Sequence, residues 1–395
     1  MTQDVKMPAF IYDEREIAYK FNDAHPFNQQ RLVLTVDLLR KAGALPQAAL
    51  HAPRPATDTE LLRVHTPAYV EAVKALSAPV PDLEWVRAAG RFGLDTDDTP
   101  FFPGMHDITA TVVGGSIAAA ELVMSGAAPH ALHLGGGLHH AMPGKGAGFC
   151  VYNDATAAIA HIQALYGAKV LYVDTDVHHG DGVQWSFYSD PRVCTLSIHE
   201  TGKYLFPGTG GVHERGEGEA FGTSLNVPVE PYTEDESWLE CFGEVLTAAI
   251  ARFQPDVIVS QHGCDAHAYD PLAHVHCSMR VYQAMPELIH QLAHQWCAGR
   301  WIALGGGGYD VWRVVPRAWS LLWLVMSEQA PALQLGAEPQ LELPQAWLGA
   351  WAGSSPVPLP RTWLDDVRGW QPMPRRQAIA EKNRQSKELA LLYLR

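Results

Sequence analysis

Between residues 129 and 310 short apolar runs alternate with longer stretches whose apolar positions recur at helical spacing. The runs predict strands over 130–134, 170–175, 192–199, 256–260 and 301–304. The intervening stretches predict helices over 154–168, closing at Gly167, and over 236–254 and 279–296. Strands that are apolar at nearly every position, separated by helices, imply a mostly parallel sheet covered on both faces. The fold class expected is therefore α/β. Ahead of this block, 27–45 and 60–77 also show helical spacing, in a first hundred residues otherwise read as loops. Behind it, 327–370 is rich in Pro and Trp with few periodic elements and is expected to wrap the surface. A charged helix over 374–395 could dock on its own chain or on a second subunit, which makes a homodimer an expectation. One domain over 1–395 is expected, with a core of about 8–330 and an extension over 331–395.

Composition narrows the partners. Apolar residues make up 47% of the 395 and charged residues 18%, enough for a large core. The net charge of −14 comes without any basic stripe, which argues against nucleic acid and mildly favours cationic substrates. The first thirty residues lack an apolar leader segment, and LLWLVM (321–326) is too short to span a bilayer, so no membrane role is expected. Six cysteines (150, 194, 241, 264, 277, 297) contain no CxxC pair. They read as buried thiols of a reducing compartment, and a cytoplasmic location is expected.

The chemistry gathers where four predicted strands end. The first delivers Gly135–Gly137 and then His139 and His140. The second delivers Asp174, Asp176 and His178, the third Cys264, Asp265 and His267, and the fourth Gly305–Gly308 and Tyr309. Ligands bind beyond the carboxyl ends of parallel strands, so these loops are expected to share one site. If the chain stays extended, Asp174, Asp176 and His178 project to one side. Asp176 and His178 then grip a divalent metal, with Asp265 the best-placed third ligand. The set leaves a position open for water, as catalytic zinc requires, and would also accept Fe²⁺ or Co²⁺. The rival ligands are Cys264, His179, His262, His267, His274 and His276. For His274 and His276 a hydrogen-bonded surface role is expected, and Cys264 reads as a small buried residue. His179 should point to the opposite side of the strand. His139 and His140 suit acid–base work, with Asp174 and Asp181 available to orient them. Tyr309 could donate to a developing oxyanion. The glycine runs invite a dinucleotide reading, but GxGxxG from Gly135 would need glycine where His140 stands.

The strings GGGLHHA and GAGFCVYND (135–154), VLYVDTDVHHGDGVQ (170–184), LFPGTG (205–210), SQHGCDAHAYDPL (260–272) and LGGGGYD (304–310) together resemble the zinc-dependent histone deacetylase family, most closely its bacterial acetoin-utilisation branch. Weaker echoes run from AHPFNQQR (24–31) to RAWSLLW (317–323) and PRRQAIAEKNR (374–384), so the likeness covers nearly the whole chain. It implies a three-layer arginase/deacetylase-like fold and hydrolysis of the acetyl amide of N-acetyl-lysine in proteins, releasing acetate. It implies Asp176, His178 and Asp265 as zinc ligands, His139 and His140 as the acid–base pair with Asp174 and Asp181 as partners, and Tyr309 as the group that polarises the acetyl carbonyl. It further implies Gly148, Phe149 and Phe206 as lining of an acyl-lysine tunnel, Leu272 near its rim, Asp98 as the rim carboxylate that holds the substrate backbone, and Arg31 near an acetate exit. A structural potassium is implied around Asp174, Asp176, His178 and Ser197. A second would involve Phe187, Asp190 and Val193, although Asp190 stands where a Thr is expected. His262 and Cys264 depart from the eukaryotic class I pattern. The substrate implied is an acetylated protein such as an acyl-CoA synthetase. An acetylpolyamine amidohydrolase on the same fold is the alternative, because Asp97 and Asp98 could serve an acidic gate, and a non-catalytic metal-dependent receptor is a third.

Overall fold

Consecutive apolar and β-branched residues form strands where both faces of the backbone are covered. In the computed structural model, which describes residues 6–392 and 394, they build one eight-stranded sheet. The strands are β1 (Ala9–Ile11), β2 (Leu50–His51), β3 (His130–His133), β4 (Val170–Asp174), β5 (Val193–Glu200), β6 (Ser224–Val229), β7 (Val257–Gln261) and β8 (Trp301–Leu304). Their order is β2-β1-β3-β8-β7-β4-β5-β6, and every neighbouring pair is parallel.

Period-two alternation divides the strand side chains between two cores. Leu132, Leu171, Val173, Ile258, Trp301 and Ala303 join one, packed with Leu32, Trp238, Met285 and Trp319 from the covering helices. Ala131, Val170, Tyr172, Val257, Val259, Ile302 and Leu304 join the other, under Ala119, Ala120, Ile159 and Ile162. Helices thus cover both faces, giving the three layers expected. Helix Asp154–Tyr166 starts where the Asn153 side chain accepts the Thr156 N–H and stops at Gly167, whose φ of +62° suits only a residue without a Cβ penalty.

Several elements depart from the pattern reading. The first hundred residues contribute β1 and β2, too short to show any period. The 60–77 stretch breaks into helices Asp58–Leu61 and Pro67–Leu76, because Thr66 caps a new helix with Pro67 in its first turn. Helix Met105–Met124 lacks a strong polar face and went unanticipated. Among the described residues it is the one helix long and apolar enough to cross a membrane, yet Ala120 is buried against the sheet and Val112, Val113 and Ile117 in a side core with Tyr69 and Tyr152. The Pro- and Trp-rich segment does wrap the surface, pinned by Trp347 and Trp363, both buried in the core. Helix Arg376–Leu391 docks on its own chain: Asn383 bonds Thr233 and Ser237, and Lys387 pairs with Glu240 and Glu244. That docking removes the helix as an argument for a dimer. Residues 393 and 395 of the 374–395 segment, and residues 1–5, lie outside the described part. All six cysteines are buried and unpaired.

Because every strand runs the same way, all carboxyl ends lie along one edge of the sheet. The four chemistry-bearing loops follow β3, β8, β7 and β4, which are consecutive neighbours at the centre of the sheet.

Candidate active site

The β4 strand ends at Asp174, and the chain bends over residues 176–178. The extended alternation expected there is therefore lost. Instead the backbone curls around carboxylates: the Asp176 N–H donates to Asp174 Oδ1 (3.1 Å) and the His178 N–H to Asp176 Oδ1 (2.9 Å). Across the crevice, the Val177 N–H donates to Asp265 Oδ1 (2.9 Å) and the Gly307 N–H to Asp176 Oδ2 (2.6 Å). These bonds leave Asp265 Oδ2 facing the His178 ring, whose Nδ1 lies 3.1 Å from it and 3.2 Å from Asp176 Oδ1, the oxygen that also accepts the His178 N–H. The three ligand atoms fall within 4.8 Å of one another, all buried. Two buried carboxylates side by side are costly, and burial with the Asp176 charge pushes Asp265 up to about 6. The donor set of two carboxylate oxygens and one imidazole nitrogen fits a divalent cation, which would neutralise both acids.

Beside this group stand two His–Asp pairs. His139 Nδ1 lies 2.7 Å from Asp174 Oδ2, and His140 Nδ1 lies 2.7 Å from Asp181 Oδ1. The two rings are 4.0 Å apart between centroids. Their environments differ. Burial works against a proton on His139, but the charges of Asp174 and Asp176 outweigh it and raise the ring to about 9. Burial and the neighbouring His139 push His140 down to about 4, against the weaker pull of Asp181. A pair of imidazoles so divided has one ready to hold a proton and one ready to accept it.

Tyr309 closes the opposite wall. Burial, then Asp265 and Asp176, raise its phenol well above the ordinary value, so it remains a hydrogen-bond donor. A narrow cavity of about 20 Å³ is lined by His139, His140, Gly148, Phe149, Asp176, His178 and Tyr309, among others. Phe149 packs edge-on to Tyr309 (5.7 Å) and Phe206 edge-on to His140 (4.9 Å). A Cβ on Gly148 would sit 2.5 Å from the His140 ring and 2.9 Å from Phe206, so only glycine lets these rings approach. Leu272 is half-buried and donates its N–H to Asp270 (2.9 Å) rather than joining the deep cavity. Asp98 is exposed, and its loop is tied to the cavity where the Phe149 N–H donates to Thr99 (3.1 Å).

Arg31 lies beneath the glycine run, 2% exposed, donating to the Gly306 carbonyl (2.9 Å) with its guanidinium against Phe27 and Trp319. Ser197 pairs in register with Asp174 and contacts His199 (2.8 Å). Phe187, Asp190 and Val193 form a tight turn on the far side of helix Asp181–Ser186, where the Asp190 carboxylate accepts from Gln163 (2.8 Å) and the Arg192 N–H (2.8 Å). Of the rival ligands, His179 turns away to Thr209 and Gln184, His262 to Ser260, His267 to Asp365 and His274 to Glu200. Cys264 is buried, as read.

Pattern reading missed the groups that hold the loops. Asp154 receives the N–H groups of Gly137 (3.0 Å) and Leu138 (2.7 Å), fixing the turn that aims His139. Behind it runs a buried chain in which Ser116 donates to Asp154 (2.5 Å) and meets His133 (2.8 Å), which meets Glu16 (2.6 Å). Asn153 donates to the His139 and Ala141 carbonyls (3.2 and 3.0 Å). Asp270 accepts the Tyr309 N–H (2.7 Å). The Asn153-Asp154 helix start was the only available signal for any of these.

A histone deacetylase domain model matches residues 25–326. The chain belongs to the histone deacetylase family. It is 49% identical over 386 residues to the acetoin utilization protein AcuC of Bacillus subtilis (strain 168), covering 98% of this chain and 97% of that one. It is 44% identical over 391 residues to AcuC of Staphylococcus aureus (strain MRSA252), covering 99% and 97%. Among solved structures, a histone deacetylase homologue from Aquifex aeolicus superposes with a TM-score of 0.80 at 26% identity, covering 96% of this chain and all of that one. A homologue complexed with SAHA gives 0.81 at the same identity and coverage. The deacetylase is thus an AcuC-like hydrolase of the arginase/deacetylase-like fold, and its family implies a catalytic metal, usually Zn²⁺.

Proposed function

We propose that this deacetylase hydrolyses the acetyl amide of N-acetyl-lysine in protein substrates, releasing acetate. One observation carries the reading: two His–Asp pairs and a phenol converge on a buried three-donor group at the foot of a narrow cavity. Asp176, His178 and Asp265 would hold the divalent cation, Zn²⁺ ahead of Fe²⁺ or Co²⁺, which supplies Lewis acidity when bound. His140, neutral and fixed through Nδ1 by Asp181, takes a proton at Nε2 from the attacking water. His139, protonated and steadied by Asp174, gives its Nε2 proton to the departing lysine amine. Tyr309 donates its phenol hydrogen to the oxygen of the acetyl carbonyl as charge develops there. Gly148, Phe149 and Phe206 keep water from the lysine stem, Leu272 stands at the rim, Asp98 accepts from the substrate backbone, and Arg31 lines the acetate exit. The reading includes structural potassium at Asp174, Asp176, His178 and Ser197 and at Phe187, Asp190 and Val193. It takes the whole chain as one catalytic domain working in the cytoplasm on an acetylated metabolic enzyme such as an acyl-CoA synthetase.

The exposed carboxylates of Asp97 and Asp98 near the rim support a second reading, an amidohydrolase of acetylated polyamines. Acetyl-lysine peptides, acetylputrescine and acetylspermidine assayed side by side separate the two. Peptide kcat/KM should exceed that of either polyamine at least tenfold, and comparable turnover of the polyamines overturns the first choice.

A further inference from the structure

At the opposite edge of the sheet three more histidines converge. His130 is the first residue of β3, next to Trp301 at the start of β8. His290 and His294 lie four residues apart on helix Met279–Trp296, so they share a face. His290 Nε2 is 3.1 Å from His130 Nε2 and also 3.1 Å from His294 Nε2. An imidazole nitrogen has either one proton or one lone pair, so this atom cannot satisfy both neighbours by hydrogen bonding. A cation that accepts three lone pairs resolves that conflict. The rings stand at 74°, 82° and 90° to one another with centroids 4.6–5.1 Å apart, and one ring nitrogen from each lies within 4.8 Å of the others. Tetrahedral Zn–N bonds would set neighbouring nitrogens about 3.3 Å apart. His130 is only 3% exposed, and its buried Nδ1 has no hydrogen-bond partner.

We propose that His130, His290 and His294 form a second transition-metal site, separate from the catalytic group. It takes a borderline divalent ion such as Zn²⁺ or Co²⁺ through three Nε2 atoms and leaves a fourth position to water. The exposed half of the site opens beside the hollow lined by Glu287 and Glu328, whose charges favour cation entry. Its effect is mechanical: it staples the last turns of helix Met279–Trp296 to the amino end of β3.

The test uses the full chain, stripped by chelator and dialysed against micromolar Zn²⁺. Elemental analysis should find two ions per chain in the wild type, and one in both the His290→Asn/His294→Gln double variant and Asp176→Ala. In the Asp176→Ala background, Zn²⁺ should raise Tm, and adding His294→Gln alone should weaken that response by more than about 100-fold in concentration. Deacetylase turnover of the double variant should match wild type. Equal zinc counts in wild type and double variant, or an unchanged Tm response, overturn the proposal.

Discussion

Gly180 sits between the bend at 176–178 and Asp181, and its φ of −73° would suit any residue. Its constraint is space. A Cβ there would lie 2.1 Å from Asp174 Oδ2 and 3.2 Å from His139 Nδ1. That carboxylate oxygen already receives His139 (2.7 Å) and the Tyr172 hydroxyl (2.8 Å), while its partner oxygen holds the Asp176 N–H. Restoring van der Waals distance in Gly180→Ala requires Asp174 or the bend to move by on the order of 1 Å, enough to cost about 10²-fold in rate when it misplaces a catalytic ring. Overpacking should cost about 1–3 kcal/mol of stability as well. The assay is steady-state hydrolysis of an acetyl-lysine peptide with Tm and metal content measured on the same sample. Loss should fall on kcat with KM little changed. Gly167→Ala, where a Cβ meets nothing within 4 Å, is the control: the left-handed φ costs roughly 1 kcal/mol and turnover is unaffected. Wild-type kcat in Gly180→Ala would refute the claim that Asp174 positions His139.

Tyr309→Phe should keep catalytic metal by elemental analysis yet lose about 10²–10³ in kcat; near-normal turnover excludes the oxyanion role. Asp176→Ala and Asp265→Ala should each lower bound zinc by one ion per chain, and full retention would exclude the ligand. Asp365 joins buried Arg317 (2.9 Å) to His267 (2.9 Å), and Asp365→Ala should cost about 3–5 kcal/mol in denaturant melts by leaving that guanidinium unpaired. Burial alone would raise the Asp365 carboxyl, but His267 and Arg317 hold it well below the usual range. Its folded pKa is depressed, so its contribution is present above about pH 3.9 and fades as pH falls toward the folded value. The Tm gap between wild type and Asp365→Asn should therefore narrow below pH 4, and a gap that widens on acidification contradicts the pairing.

The central strands were legible because burial on both faces leaves an unbroken apolar signature, as in VLYV and VIVS. Strands β1 and β2 were not, since three and two residues carry no period and are held by neighbours distant in sequence. The same distinction applies to the site. Asp176, His178 and the paired histidines are conspicuous because charge at the end of an apolar run demands compensation. Asp154, Ser116, His133 and Glu16 act through contacts up to 117 residues apart, which local spacing cannot reveal. The bend after Asp174 was missed for a related reason: it follows from carboxylates capturing backbone N–H groups, several of them across the crevice.

The position of β8 bears on how the chain is made. Strand order puts the last strand of the chain between β3 and β7. Until residues 301–304 leave the ribosome, the nascent chain can hold only two half-sheets, β2-β1-β3 and β7-β4-β5-β6, with facing edges unpaired. Exposed edges of this kind recruit other strands. The emergence of β8 both seals that gap and delivers Tyr309, so completion of the sheet and onset of activity should coincide during synthesis.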